Sequence, residues 1–154
     1  MITANIYLTF NGNCEEAFTF YKSIFGGDFL MVGKLKDLPA DFNIKPEDKE
    51  KIHHIVLPIS DETCIQGSDY FEPFSHRKLT IGNNFSININ INSPTGEEEI
   101  TEIYDAFAKK GKVLKELAPE FWGGLYGVVE DQFGIIWALT GGDDDDCDCD
   151  CEEC

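Results

Sequence analysis

No run of apolar residues in this 154-residue chain approaches the ~20 that a membrane-spanning helix needs. A membrane partner is therefore not expected. Basic residues are scarce, with 12 Lys and Arg against 29 Asp and Glu and a net charge of −17. Binding to a phosphate backbone needs Lys and Arg to displace counterions, so nucleic acid is not an expected partner either. The opening "MITANIYLTF" lacks a basic segment and a small-residue cleavage site, and a secretory signal is not expected. Nucleotide chemistry has no signature: the paired glycines of "FGGDFL" and "FWGGLYG" belong to no G-x-G-x-x-G or Walker pattern. Nucleophilic catalysis has none as well, since no G-x-S-x-G elbow occurs. Neither Cys14 nor Cys64 lies in a Cys-His pattern. Both read as inert thiols of a reducing compartment, and the expected location is cytoplasmic.

With 42% apolar and 12% aromatic residues the composition is globular, and the length suits one domain over residues 1–142. The remaining residues 143–154, "DDDDCDCDCEEC", hold eight carboxylates, four cysteines and no base. Such dense like charge with no apolar residue besides cysteine predicts a disordered tail. Its two Cys-x-Cys steps leave open a second reading, capture of a soft ion through thiolates.

Within residues 1–142 the sequence repeats one pattern. "NIYLTF" alternates, with Ile6, Leu8 and Phe10 on one face and Asn5, Tyr7 and Thr9 on the other. A helix follows in "NGNCEEAFTFYKSIFGG". Asn13 is its expected N-cap, Ala17, Phe20, Tyr21, Ile24 and Phe25 its apolar stripe, and Gly26-Gly27 its stop. "DFLMVGKL", "KIHHIVLPI" and "ETCIQGSD" then read as three strands, with a polar Pro-bearing loop over residues 36–51. The pattern restarts at "FSININI", where Phe85, Ile87, Ile89 and Ile91 oppose Ser86, Asn88 and Asn90. A helix with a Thr95/Glu98 capping box carries the stripe Ile100, Ile103, Tyr104 and Phe107. "KVLKELA", "LYGVVED" and "GIIWAL" are the closing strands. The fold class is thus α+β, built of two βαβββ modules over about 4–70 and 84–140.

Each helix must cover the apolar face of its sheet, which leaves the opposite faces open. On "IHHIVLPI" strict alternation from Ile55, Leu57 and Ile59 puts His53 on the helix side and His54 on the open side. If the two sheets curve together, the polar faces line one cup with the helices outside. The competing reading is an ordinary solvated sheet face.

"YLTFNGNCEEAFTFYKSIFGG", the His54 strand ending in Asp69, and "FWGGLYGVVEDQFGIIW" resemble the PhnB-like group of the vicinal oxygen chelate superfamily, over residues 4–140. That superfamily includes glyoxalases, bleomycin-binding and fosfomycin-resistance proteins and extradiol dioxygenases. The resemblance implies a homodimer with a cupped sheet around a small-molecule ligand. It also implies a divalent metal in many members, held by His and Glu at positions that here carry Asn5, Ser86 and Ala138. Amide and hydroxyl oxygens bind such ions weakly and a methyl group not at all. No metal ligand, cofactor or catalytic residue is therefore expected.

The expected ligand pocket comprises His54, Asn5, Tyr7, Asp69, Ser86, Asn88, Phe121 and Trp122. His54 is its acid-base or anchoring group, against a purely structural histidine. Asp69 either orients His54 or caps a turn. Phe121 and Trp122 offer a flat wall beside Gly123-Gly124, against ordinary core packing. His76, in "EPFSHRK", reads as solvent-exposed. The expected function is small-molecule binding without the usual metal. Two alternatives stand beside it: a metal-dependent lyase, isomerase or dioxygenase with unorthodox ligands such as His54 and Asp69, and metal sequestration by the tail.

Overall fold

A computed structural model describes residues 4–143 of the chain. The Cys-rich tail from residue 144 onward lies outside the described residues, and so do the expectations attached to it. The chain divides between Thr80 and Ile81 into two compact units. Each is a βαβββ module, so the α+β class and the internal repeat are observed.

In the first unit β1 (Ile6–Phe10) leads into α1 (Cys14–Phe25), followed by β2 (Met31–Lys34), β3 (Ile52–Pro58) and β4 (Cys64–Asp69). The sheet order is β1-β4-β3-β2, with β1 and β4 parallel and the other neighbours antiparallel. The second unit repeats this with β5 (Ile87–Asn92), α2 (Gly96–Ala108), β6 (Lys112–Pro119), β7 (Leu125–Glu130) and β8 (Ile136–Gly142), ordered β5-β8-β7-β6. Among the described residues no helix is long and apolar enough to cross a membrane.

The elements differ from expectation at their edges. The strand expected over residues 28–35 is confined to Met31–Lys34, and the 36–51 loop contains three short 3-10 turns. Phe85 and Ser86 precede β5, and Phe85 is exposed. The buried stripe of α1 is Cys14, Ala17, Phe18 and Tyr21, rotated from the expected one so that Phe18 replaces Phe20. Phe18 meets Phe10 edge-on at 6.1 Å and lies where a side chain on Gly67 would stand. That contact turns the helix. In α2, Ile100, Tyr104 and Phe107 are buried as expected. Phe107 stacks on Trp137 of β8 with ring centroids 4.6 Å apart, both fully buried. Burial of each such side chain stabilises the fold by roughly 1.5–3 kcal/mol.

The helix starts are corrected too. The side chain of Asn13 makes no cap hydrogen bond. The N–H groups at the start of α1 instead meet Asp69, the last residue of β4. Its Oδ1 accepts from Gly12 N at 2.9 Å and Cys14 N at 3.0 Å, and its Oδ2 accepts from Ile52 N at 2.9 Å. In α2, Thr95 gives no cap bond, and its hydroxyl donates to Glu99 instead of pairing with Glu98. Here the chain packs backbone on backbone: a Cβ on Gly96 would stand 2.6 Å from Ile91 O and 2.8 Å from Gly142 O.

The Cys14 side chain is fully buried, and burial, then the charges of Asp69 and Glu15, push its thiol far up. Iodoacetamide at pH 8 is expected to modify Cys14 about two orders of magnitude more slowly than the half-buried Cys64, because the thiolate is the nucleophile. Peptide mapping by mass spectrometry separates the two, and equal rates would contradict the burial. For Asp69→Ala, which orphans three N–H donors at once, a loss of about 3 kcal/mol is expected in urea denaturation. A loss below about 1 kcal/mol would mean that water replaces the carboxylate without cost.

Candidate functional site

On the first sheet the faces are clearly assigned. Leu8, Phe10, Ile55, Leu57 and Ile65 are buried on the side that α1 covers. Tyr7 pairs with Gln66 and Thr9 with Ser68, and all four occupy the other face. His54 shares that open face. Its ring stacks on Tyr7 at 5.8 Å, and its Nδ1 lies 3.4 Å from the Tyr7 hydroxyl.

His53 is not on the helix side. The pairing of β2 with β3 slips between Gly33, opposite His54, and Lys34, opposite Ile52. One step on β2 thus spans two on β3, a β-bulge at His53. Alternation breaks there: Ile52 and Ile55, three residues apart, both fill the core. Lys34 confirms the face of its partner Ile52, because its ammonium reaches Glu15 of α1 at 3.1 Å. The His53 ring lies over Gly33, whose missing Cβ would stand 2.4 Å from its Nε2. Both adjacent histidines therefore emerge on the open face, which strict alternation forbids.

A cavity of about 360 Å³ opens on this face. Tyr7, Thr9, His53 and Ser68 supply its sheet wall. Opposite them the segment after β4 supplies Tyr70, Phe71, Phe74, Ser75, His76 and Arg77. This segment is braced by its own aromatic cluster. Phe74 meets Phe71 at 5.1 Å and Phe42 at 5.5 Å, both edge-to-face, and Ser75 Oγ donates to Arg77 O at 2.6 Å. A second cavity of about 260 Å³ shares Thr9, Tyr70, Ser75 and Arg77 and adds Lys78.

Of the residues expected in the pocket, Tyr7 lines the cavity and His54 stands behind it. Asp69 belongs to the wall, but both its carboxylate oxygens hold backbone N–H groups, the turn-capping alternative. Asn5 is exposed just before β1. In the second unit Ser86 and Asn88 are exposed, Asn88 opposite Ala138. Phe121 is 95% exposed and Trp122 48%, so neither packs in a core. They meet edge-on at 4.9 Å on the β6–β7 turn. Gly124 there has φ +73°, and a Cβ on it would stand 2.7 Å from Gly141 O, so its close neighbour is backbone. His53, Thr9, Ser68, Tyr70, His76 and Arg77 are among the cavity residues absent from the expected set. Thr9 alone carried a signal, its place beside Tyr7 in the alternation. Among the described residues no three His, Cys, Asp or Glu side chains come together in a way that could hold a metal ion.

The model of the family described as 3-demethylubiquinone-9 3-methyltransferase matches residues 3–140. The chain belongs to this PhnB-like family. YjdN of Escherichia coli K12 is 24% identical over 150 residues, covering 87% of this chain and 91% of that protein. The crystal structure of PA1353 from Pseudomonas aeruginosa is similar with a TM-score of 0.76 and 28% identity, covering 94% of this chain and all of that one. The PhnB protein of Bacillus cereus shares the fold with a TM-score of 0.68 and 21% identity, over 90% and 98% of the two chains. Fosfomycin-resistance and glyoxalase/bleomycin-resistance proteins share it at lower identity, which places the fold among the vicinal oxygen chelate proteins.

The bulge can be tested at Gly33. In Gly33→Ala the new methyl must displace the His53 imidazole, the end of a side chain and not backbone. We expect the His53 ring resonances to shift in NMR spectra while stability changes by no more than about 1–2 kcal/mol. Unmoved His53 signals would refute the packing of that ring on Gly33.

Proposed function

We propose that the chain is a small-molecule-binding protein whose ligand enters the cavity on the open face of the first βαβββ module. The supporting observation is the cavity itself. It has a size typical of ligand pockets, one braced aromatic wall and several convergent polar side chains. Binding here needs no metal. The positions where metal-dependent members of the superfamily carry ligands hold Asn5, Ser86 and Ala138, an amide, a hydroxyl and a methyl group, a donor set that does not fit a divalent transition metal. Recognition of a small molecule claims less than the methyltransferase activity in the family's description.

In this reading Tyr7 forms a wall of the pocket, and His54 fixes the Tyr7 ring by stacking and by the hydroxyl contact. A homodimer remains part of the proposal on the family resemblance alone, and a cytoplasmic location on the motif-free cysteines Cys14 and Cys64.

A fragment library screened by ligand-observed NMR tests it. Thr9→Trp fills the cavity from an exposed strand position and should weaken cavity-binding fragments at least about ten-fold, since it removes the space they occupy. His54→Ala should weaken the same fragments several-fold, about what one lost hydrogen-bonding partner costs, while the urea midpoint holds. Fragments that bind Thr9→Trp undiminished would place the ligand elsewhere. Unfolding of His54→Ala would make that histidine structural.

A further inference from the structure

The two adjoining cavities differ in charge from the rest of the chain. Acidic residues outnumber basic ones 29 to 12, yet the cavity walls gather Arg77, Lys78, His53 and His76. Arg77 is the chain's only arginine, and two of its three histidines are in this group. Among the described residues the one carboxylate in either wall is that of Asp69, and both of its oxygens already accept backbone N–H groups. Glu72, in the same segment, lines a different cavity with Phe42 and Pro73. Among the described residues no carboxylate forms an ion pair with Arg77 or Lys78, which leaves both charges available to a ligand.

The hydroxyl groups point to the same chemistry. Thr9, Ser68 and Tyr70 supply O–H donors around the shared region, beside the planar guanidinium fork of Arg77, which matches a carboxylate or phosphoryl group bidentately. Apolar surface stands next to these donors: Phe71, Phe74 and Leu35 line the larger cavity, while Lys78 belongs to the smaller. A ligand fitting both parts has an anionic head and a short apolar or aromatic body. The Arg77 loop is held in place for this task, by Ser75 bonding to the Arg77 carbonyl and by the edge-to-face contacts of Phe74.

We infer that the ligand of this cavity is a small organic anion, a carboxylate or a phosphate ester with an apolar body, whose charged head is held by Arg77 with Lys78 beside it. The inference rests on the binding function proposed above and names its ligand class. Aromatic probes of matched shape test it on the full chain. Benzoate and phenyl phosphate carry the two heads, and benzamide is the neutral counterpart of benzoate. Chemical-shift mapping should show both anions perturbing the Thr9, Ser68 and Tyr70 amides saturably, and benzamide binding at least about ten-fold more weakly. Arg77→Gln should weaken the anions about ten-fold or more and leave benzamide unchanged, while Lys36→Gln, a cation outside both cavities, should change neither. Lys78→Gln should weaken phenyl phosphate more than benzoate, and whichever anion binds more tightly identifies the head group. If benzamide binds as well as benzoate, or Arg77→Gln leaves the anions unaffected, the ligand is not an anion but the cavity still binds. If no probe perturbs those amides, the cavity assignment and the anion inference both fall.

Discussion

One carboxylate organises the first module. Asp69 ends β4, and its two oxygens hold the N–H groups of Gly12, Cys14 and Ile52. The first two belong to the start of α1, the third to the start of β3. A negative charge at a helix start also faces the positive end of the helix dipole, which adds to the hydrogen bonds. Holding Ile52 at this point sets the phase of β3: Ile52 turns into the core, the next core residue is Ile55, and the residue in excess is accommodated as the bulge. The bulge brings His53 round beside His54. Thus the contents of the open face follow from a contact made on the covered face.

The second module solves the same junction differently. At the end of β8 stand Gly141 and Gly142, and the start of α2 approaches so closely that no side chain would fit between them. The Ser93 N–H meets the Gly142 carbonyl directly at 3.0 Å. Its buried carboxylate is used elsewhere. Asp131 accepts from the N–H groups of Phe133 and Ile135 and from the Trp137 indole, closing the β7–β8 turn around the residue that stacks on Phe107. Two copies of one topology therefore carry a buried aspartate at different places. In one it fixes a helix start and the phase of a strand, and in the other it fixes a hairpin and the tryptophan of the core.

These contacts explain what was legible in the sequence. Element order and repeat were legible because they rest on periodicity: "NIYLTF" and "SININI" alternate, and the stripe of α2 recurs at helical spacing. Trp137 on the core side and Ala138 on the other follow from the same rule. What failed depended on residues distant in sequence. Asn13 has the chemistry of a cap, but Asp69, which takes that role, lies 55 residues from Cys14 in the chain. No local window contains both. The stripe of α1 turned because Phe18 found the space above Gly67, a vacancy that exists only after β4 is in place. His53 was assigned to the wrong face because a bulge adds one residue without leaving a mark in composition. The cavity residues after β4 had no periodicity to betray them: His76 is exposed, as its polar loop implies, and only the fold shows that it and Arg77 also border the cavity.

Placing cations in a cavity of an acidic protein has a physical consequence that separates it from a basic surface patch. Distributed charge acts over the Debye length, about 8 Å at physiological ionic strength, and here it repels an approaching anion. A bidentate charge-assisted contact at Arg77 would be short, and salt weakens such a contact less than it weakens long-range repulsion. Added salt should therefore screen the long-range repulsion before it weakens the local attraction. Anion capture by a basic surface declines as salt rises, whereas capture by Arg77 in this setting would be held or improved over the same range. The acidic surface also acts on selectivity. A polyanion long enough to reach beyond the cavity meets a chain of net charge −17, while a single small anion can be held by Arg77, Lys78 and the hydroxyls around them. The same charge balance that argues against a phosphate backbone leaves room for a compact anion.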